Sequence, residues 1–208
     1  YEQIRFNVAS MKRDLKIIGL GPGYSFPYDG PTHHAIQDLY LMYLIPELEV
    51  INISDNNLAN KISKNLNKIK GPAYIRLDKG AMNYFNNINY NLNKGFEFIY
   101  RGRSKKKLII SSGYFCKKAH DVASKLDHVS VINFFRFKNF NKKLLKKNIK
   151  NFKKIFIYDE NSKNGGISNI ILNLINDNKL DIKVKILSSP EKQLFKYSND
   201  REDIYNLL

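Results

Sequence analysis

The sequence predicts an α/β protein made of two three-layer α/β/α domains with largely parallel sheets. Apolar runs of strand length alternate with longer segments of helical periodicity along the chain, the βαβ rhythm that surrounds a parallel sheet. The rhythm breaks once, where residues 79–106 turn rich in Asn, Gly, Tyr and Lys without a period. The 208 residues are 43% hydrophobic, enough for two modest cores.

Taken in order, residues 15–20 read as a strand and 21–31 as a Gly/Pro-rich loop. Over 33–44, Ile36, Leu39, Tyr40 and Tyr43 fall at helical spacing, and 48–53 read as the second strand. Asp55 suits the cap of a helix running through residue 69, because its carboxylate can accept amide hydrogens that the first turn leaves unpaired. Residues 73–77 make the third strand. The unpatterned stretch that follows reads as a linker, with room for a hairpin. This gives a first domain over 1–82, a linker over 83–106 and a second domain over 107–208. In the second domain, strands are expected at 108–112, 129–133, 155–158 and 182–187. Helices are expected at 115–126, around Leu144, from Gly165-Gly166 through 175, and from about Asp200.

The formal charge of +16 raises nucleic acid as a partner, since clustered cations neutralise phosphates. Here lysine is spread with Asn and Ile over 61–70, 138–154 and 173–185, without the aromatic interleaving of a single-strand groove. A coding bias toward Lys, Asn and Ile explains this pattern as solvated surface, so nucleic acid is not expected as a partner. No apolar run approaches the ~20 residues of a membrane span and no charged-then-apolar opening marks a secretory signal, so a cytoplasmic protein without membrane contact is expected. A single cysteine, Cys116, excludes an internal disulfide. The four histidines make no zinc spacing with it, and no metal held by the chain's own ligands is expected.

The most informative stretch runs from Gly19 to His34, directly after a strand and before a helix, where open parallel sheets build ligand crevices. Its glycines lack the dinucleotide spacing, and Pro22 lies among them. Asp29, His33 and His34 can hydrogen-bond a polyol and move protons near neutral pH. The same residues read equally well as turn chemistry at Asp29-Gly30-Pro31, a helix cap at Thr32 and histidines facing solvent.

The run Tyr28-Asp29-Gly30-Pro31-Thr32-His33, preceded by Tyr1-Glu2-Gln3-Ile4-Arg5 and a strand, resembles the pyrimidine-binding domain of transketolases and deoxyxylulose phosphate synthases. Agreement continues in order through Leu44-Ile45-Pro46, Ser54-Asp55 and Gly71-Pro72-Ala73-Tyr74-Ile75-Arg76-Leu77. The second segment is similar to the transketolase C-terminal domain, through Ser111-Ser112-Gly113 and Tyr158-Asp159-Glu160 on to Gly165-Gly166-Ile167. The resemblance implies that His33 is the catalytic histidine near the thiazolium carbon and that Asp29 reads a substrate hydroxyl. It implies that Arg76 grips a sugar phosphate with its bidentate fork, and that His34 supports substrate binding. A surface arginine paired with Asp78 is the plainer reading of Arg76.

The resemblance also implies what lies elsewhere. Gly21 stands where transketolases often carry a further histidine, and no residue matches the glutamate that serves the cofactor's aminopyrimidine. Thiamine diphosphate and its Mg²⁺ are therefore expected to be held largely by a missing domain or a partner chain, with the cofactor-binding residues outside this chain. The first domain is expected to be incomplete at its N-terminus, because the chain opens without Met inside a family helix. The implied function is that of a C-terminal transketolase subunit or fragment, a transferase moving a two-carbon ketol unit between sugar phosphates. It would need an N-terminal subunit or domain, within a dimer or heterotetramer, and would be inactive alone. A deoxyxylulose phosphate synthase-like enzyme and a non-catalytic dimerisation module are the alternatives.

Overall fold

In the computed structural model, which describes residues 1–80, 82–85, 87–104 and 106–207, the first sheet forms from the apolar runs Lys16–Leu20 (β1), Glu49–Asn52 (β2) and Ala73–Leu77 (β3). All are parallel, in the order β1-β3-β2. β3 takes the centre because Ala73, Tyr74, Ile75 and Arg76 are buried on both of its faces, as a central parallel strand requires.

Two helices connect these strands. The helix expected over 33–44 starts only at Asp38 and forms Asp38–Tyr43 (α1), behind a 3₁₀ turn at Gly30–His33. The reason is that the backbone of Ala35 is committed elsewhere, exchanging both hydrogen bonds with Gly23. The second helix, Asn56–Ser63 (α2), begins as expected, with the Asp55 carboxylate accepting from Leu58 N at 2.9 Å. It ends before residue 69, giving way to a 3₁₀ turn at Leu66–Lys68. Asn65 Nδ2 donates to Lys61 O there, a local bond that competes with helix continuation.

The second sheet has the order β4-β6-β5-β7-β8, from Phe96–Tyr100 (β4), Lys107–Ser111 (β5), Val129–Phe134 (β6), Lys154–Ser162 (β7) and Lys183–Ser189 (β8). Its helices are Phe115–Leu126 (α3), Lys142–Ile149 (α4), Gly166–Asp177 (α5) and Arg201–Tyr205 (α6). Strand alternation divides the two faces. Leu108, Ile110, Ile132 and Phe134 pack in one core with Leu145 and Ile149 of α4 and with Ile167 and Ile171 of α5. Val129 and Val131 pack against Cys116, Ala119 and Ala123 of α3 on the opposite face. The result is three layers.

Two boundaries differ from expectation. β4 falls inside the segment read as linker, and it forms no local hairpin: it pairs antiparallel with β6 at the edge of the second sheet. Its alternating Phe96, Glu97, Phe98 becomes a strand only because that distant edge is available. β7 runs past the expected 155–158 to Ser162, through the polar run Asp159-Glu160-Asn161, because β8 continues to pair with it across a register shift. A polar strand end carries no hydrophobic period to read.

The two sheets are not separate bodies joined by a tether. Leu39, Ile45, Val50 and Tyr74 of the first unit share one apolar core with Phe134, Phe137, Ile167 and Ile171 of the second. The free edge of β2 is closed from across the interface, where Asn52 N donates to Phe135 O and Phe137 N to Val50 O, each at 2.9 Å. Among the described residues, no helix is long and apolar enough to cross a membrane.

The Asp55 carboxylate also accepts from the Tyr90 hydroxyl at 2.5 Å in a buried setting. Asp55→Ala is expected to destabilise the chain by about 2–3 kcal/mol, through the lost cap and the stranded hydroxyl. Urea unfolding checks this, and a midpoint equal to wild type would show that the cap contributes nothing.

Candidate active-site loop

The loop between β1 and α1 is held at its base by backbone. Gly21 N donates to Leu77 O at 3.1 Å, tying the loop to the end of β3. Gly21 has φ +89°, and a Cβ there would lie 1.9 Å from the Phe26 ring, so only glycine gives that ring its seat. Gly23 N donates to Ala35 O at 2.9 Å and Ala35 N to Gly23 O at 2.8 Å, which closes the neck. Gly23, at φ +56°, leaves the space that the Glu160 carboxylate occupies.

The tip is a 3₁₀ turn, Gly30–His33, with Pro31 pre-setting its first turn. Thr32 Oγ1 lies 3.2 Å from Asp29 O and 2.9 Å from His33 Nδ1. The two contacts fit together when the hydroxyl donates to the carbonyl and accepts from Nδ1–H, which leaves His33 Nε2 as the free lone pair. Asp29 and His33 are both exposed on this turn. The segment before α6 supports the loop from outside, with Ser198 N donating to Pro27 O at 3.0 Å and Gln193 Nε2 to Pro31 O at 3.3 Å.

Beneath the neck lies Arg76, 1% exposed. Its Nη2 donates to Ala35 O at 2.7 Å, its Nε sits 3.0 Å from Asp38 Oδ2, and its Nη1 donates to Glu160 Oε2 at 3.3 Å. Each carboxylate has a second partner: the Tyr74 hydroxyl donates to Asp38 at 2.7 Å, and the Tyr205 hydroxyl donates to Glu160. Burial works against the Arg76 charge, but Asp38 and Glu160 outweigh it and hold the guanidinium protonated. Burial pushes the Glu160 carboxyl above the usual glutamate range, against the pull of Arg76.

The structure thus brings Asp29 and His33 to one exposed surface and sets Arg76 below it. Arg76 is not a surface arginine and does not pair with Asp78, whose Oδ2 takes Arg201 Nη1 at 2.6 Å. A central strand leaves residue 76 no route to solvent. His34 turns inward, its ring edge-on to Tyr24 at 4.7 Å, and among the described residues neither ring nitrogen has a partner. Burial, followed by the neighbouring His33 imidazole, lowers its pKa below the usual histidine range. Sequence reasoning did not single out Asp38 or Tyr205, and Tyr74 lay in a quoted motif without a role. Glu160 lay in a quoted motif without a role, and only its contact with Arg76 supplies one.

A cleft of about 420 Å³ lined by Lys61, Tyr90 and Arg136 lies elsewhere and presents neither acid nor imidazole, so it does not compete as a site. Among the described residues, no group of three or more His, Cys, Asp or Glu side chains converges to hold a metal ion.

Residues 1–83 match the family model of the transketolase pyrimidine binding domain, and residues 99–207 that of the transketolase C-terminal domain. Among curated proteins the chain is similar to 1-deoxy-D-xylulose-5-phosphate synthase of Alkaliphilus oremlandii, 28% identical over 86% of this chain and 29% of the relative. It is also similar to one of the subunits of apulose-4-phosphate transketolase of Actinobacillus succinogenes, 26% identical over 88% of this chain and 60% of the relative. Among solved structures, a split-gene transketolase described as an inactive beta4 tetramer superimposes with a TM-score of 0.78 at 23% identity, covering 91% of this chain and 62% of that one. A transketolase from Campylobacter jejuni does so with a TM-score of 0.74 at 16% identity, covering 96% of this chain and 30% of that one. The chain therefore spans less than two thirds of the length of these relatives.

Removing Arg76 leaves two carboxylates facing each other without their cation. Arg76→Met is expected to cost about 3–5 kcal/mol in denaturant unfolding, the usual result of orphaning a buried charge. The raised Glu160 pKa gives a second expectation. Its folded form binds the proton more tightly than its unfolded form, so this stabilising contribution is complete below the ordinary glutamate range and is lost as pH rises through the raised value. The stability of wild type minus that of Glu160→Gln, measured by urea melts across this window, is expected to fall with rising pH, and a flat difference would refute it.

Proposed function

The chain belongs to the transketolase family, and from that premise we propose that it works as the C-terminal half of a thiamine-diphosphate-dependent transferase, moving a two-carbon ketol unit between sugar phosphates together with an N-terminal subunit or domain. The observation that carries this reading is the pairing of Asp29 with His33 on an exposed turn at the C-terminal end of β1 and β3, fixed by the Gly23–Ala35 neck. A sugar laid against that turn meets an acceptor and an imidazole together.

Each residue has a separate task in this scheme. His33, with Nδ1–H given to Thr32, presents Nε2 to hold or take the proton of a sugar hydroxyl. Asp29 accepts a hydrogen bond from a second hydroxyl and so fixes the sugar's face. His34, packed edge-on against Tyr24, backs the turn from within and so supports substrate binding indirectly. Arg76 acts through Ala35: it holds the carbonyl at the neck and so sets where the turn stands.

Thiamine diphosphate supplies the carbon nucleophile of this chemistry when it is bound. The described residues do not form a ligand set for Mg²⁺. In this scheme, which follows the family resemblance, the metal and diphosphate would be held by the N-terminal partner, and this chain would contribute the sugar side of a shared site. The apulose-4-phosphate transketolase subunit and the split-gene structure support a partner chain and an oligomer, which this scheme takes to be a dimer or a heterotetramer. The similarity to deoxyxylulose phosphate synthase supports a second reading, condensation of pyruvate with a triose phosphate at the same turn.

Co-purification with an N-terminal thiamine-binding subunit, thiamine diphosphate titration and product analysis decide between the two. Ketol transfer between a ketose phosphate and an aldose phosphate is the expected result, whereas carbon dioxide release from pyruvate would replace it with the second reading. In the active complex His33→Ala is expected to lower kcat by about 10²-fold with KM little changed, the scale of a lost acid–base group. Asp29→Ala is expected to act mainly on KM. Steady-state kinetics of both variants check the assignment, which fails if neither parameter moves.

A further inference from the structure

We propose that the segment 190–200, between β8 and α6, is a strap that positions the sugar-binding turn, with Tyr197 as the positioning residue that fixes where Asp29 and His33 stand. The inference rests on the transferase reading above for what the turn does, and on geometry alone for what holds it. Arg76 reaches the loop at Ala35, beyond its tip. At the tip itself Gly30 and Pro31 are buried, although Asp29 before them and Thr32 and His33 after them are exposed. The cover over the middle of the turn comes from far along the chain.

The strap meets the turn at three points. Ser198 N donates to Pro27 O at 3.0 Å, Gln193 Nε2 donates to Pro31 O at 3.3 Å, and the Tyr197 ring lies over Gly30. Gly30 has φ +65°, and a Cβ there would stand 2.4 Å from the ring, so glycine both makes the bend and admits the ring. The three contacts bracket Asp29 and end two residues before His33. The strap carries no helical or strand period of its own, and anchors on either side set its course. Asn164 Nδ2 donates to Glu191, Leu194 packs against the cluster of Tyr24, Ile36 and Phe115, and Arg201 Nη1 donates to Asp78 Oδ2 at 2.6 Å just beyond its end. What lies between these anchors is placed with them.

This gives the second domain a task in the site. The Gly23–Ala35 neck fixes the end of the turn that leads into α1, the strap fixes the end that carries Asp29, and His33 lies between the two. Without the ring over it, the left-handed Gly30 becomes a hinge, because no side chain of its own limits its rotation. Asp29 and His33 then swing about it, and a displacement of about 1 Å is enough to cost about 10²-fold in rate. Ring carbons are the Tyr197 atoms nearest Gly30, so the aromatic face and not the hydroxyl makes the contact. Tyr197 is 70% exposed, and the stability of the chain as a whole owes it little.

The first test uses the full chain and needs no turnover. Backbone amide order parameters, measured by NMR, compare Asp29, Thr32 and His33 on the turn with Gly23 and Ala35 at the neck. In Tyr197→Ala the turn values are expected to fall from about 0.85 to below about 0.6, while the neck values and the urea midpoint stay at wild type. Tyr197→Phe is expected to keep the wild-type values, and so is Phe195→Ala, which removes an exposed ring from the same strap. Unchanged turn values in Tyr197→Ala overturn the proposal, as does an equal fall at the neck, the mark of general loosening, or the same fall in Phe195→Ala. In the reconstituted complex Tyr197→Ala is expected to lower kcat about tenfold, Tyr197→Phe to restore it, and Tyr197→Ala to cost nothing more once His33 is already Ala. Independent losses in the double variant overturn the positioning role. The transferase reading fails separately. A turn that loosens in Tyr197→Ala while the complex transfers nothing keeps the strap and loses the transferase. A complex that turns over with full kcat in Tyr197→Ala keeps the transferase and overturns the strap's role.

Discussion

The neck of the loop rests on the buried guanidinium of Arg76. It stands on the central strand of the first sheet, takes Asp38 from α1 and Glu160 from β7, and spends a further donor on the Ala35 carbonyl at the neck. A buried ion pair of this kind adds little net stability over an apolar packing of the same volume. What it supplies is a direction. A carbonyl held by a charged donor inside a low-dielectric interface has few alternative positions, because every alternative strands a charge.

The placement of Glu160 makes this arrangement depend on both domains. The apolar core runs from one sheet to the other, and β2 finds edge partners in residues 135 and 137. Domain docking is therefore the event that delivers Glu160 to Arg76 and to the space above Gly23. Large apolar interfaces of this sort do not flex as tethered domains do. In the proposed transfer, a turn that presents an acid and an imidazole together would gain from a rigid support of this kind, since small displacements of catalytic groups are costly in rate.

The surface of the loop obeys a different rule from its base. Asp29 and His33 are exposed, and the imidazole is held by a local contact, the Thr32 hydroxyl. Groups that must exchange partners with a substrate need partners they can give up. The two layers thus divide the labour, with satisfied charges below that set position and lightly held groups above that the proposed transfer would use.

The sequence by itself determined the alternation of strands and helices, the Asp55 cap, the family motifs and the loop that carries Asp29, because each is written in local periodicity or in a short run of residue types. It placed Ala73–Leu77 and Phe115–Leu126 at their observed bounds for the same reason. Only the tertiary structure decided that β4 joins the second sheet, that α1 starts late, that His34 faces inward, and that Arg76 lies between carboxylates from α1 and β7. Those outcomes depend on which edge, carbonyl or charge arrives from far along the chain, and burial follows from that meeting. An arginine on a strand looks the same in sequence whether it ends in water or between two acids, and the chain settles the matter only when its two cores close on each other.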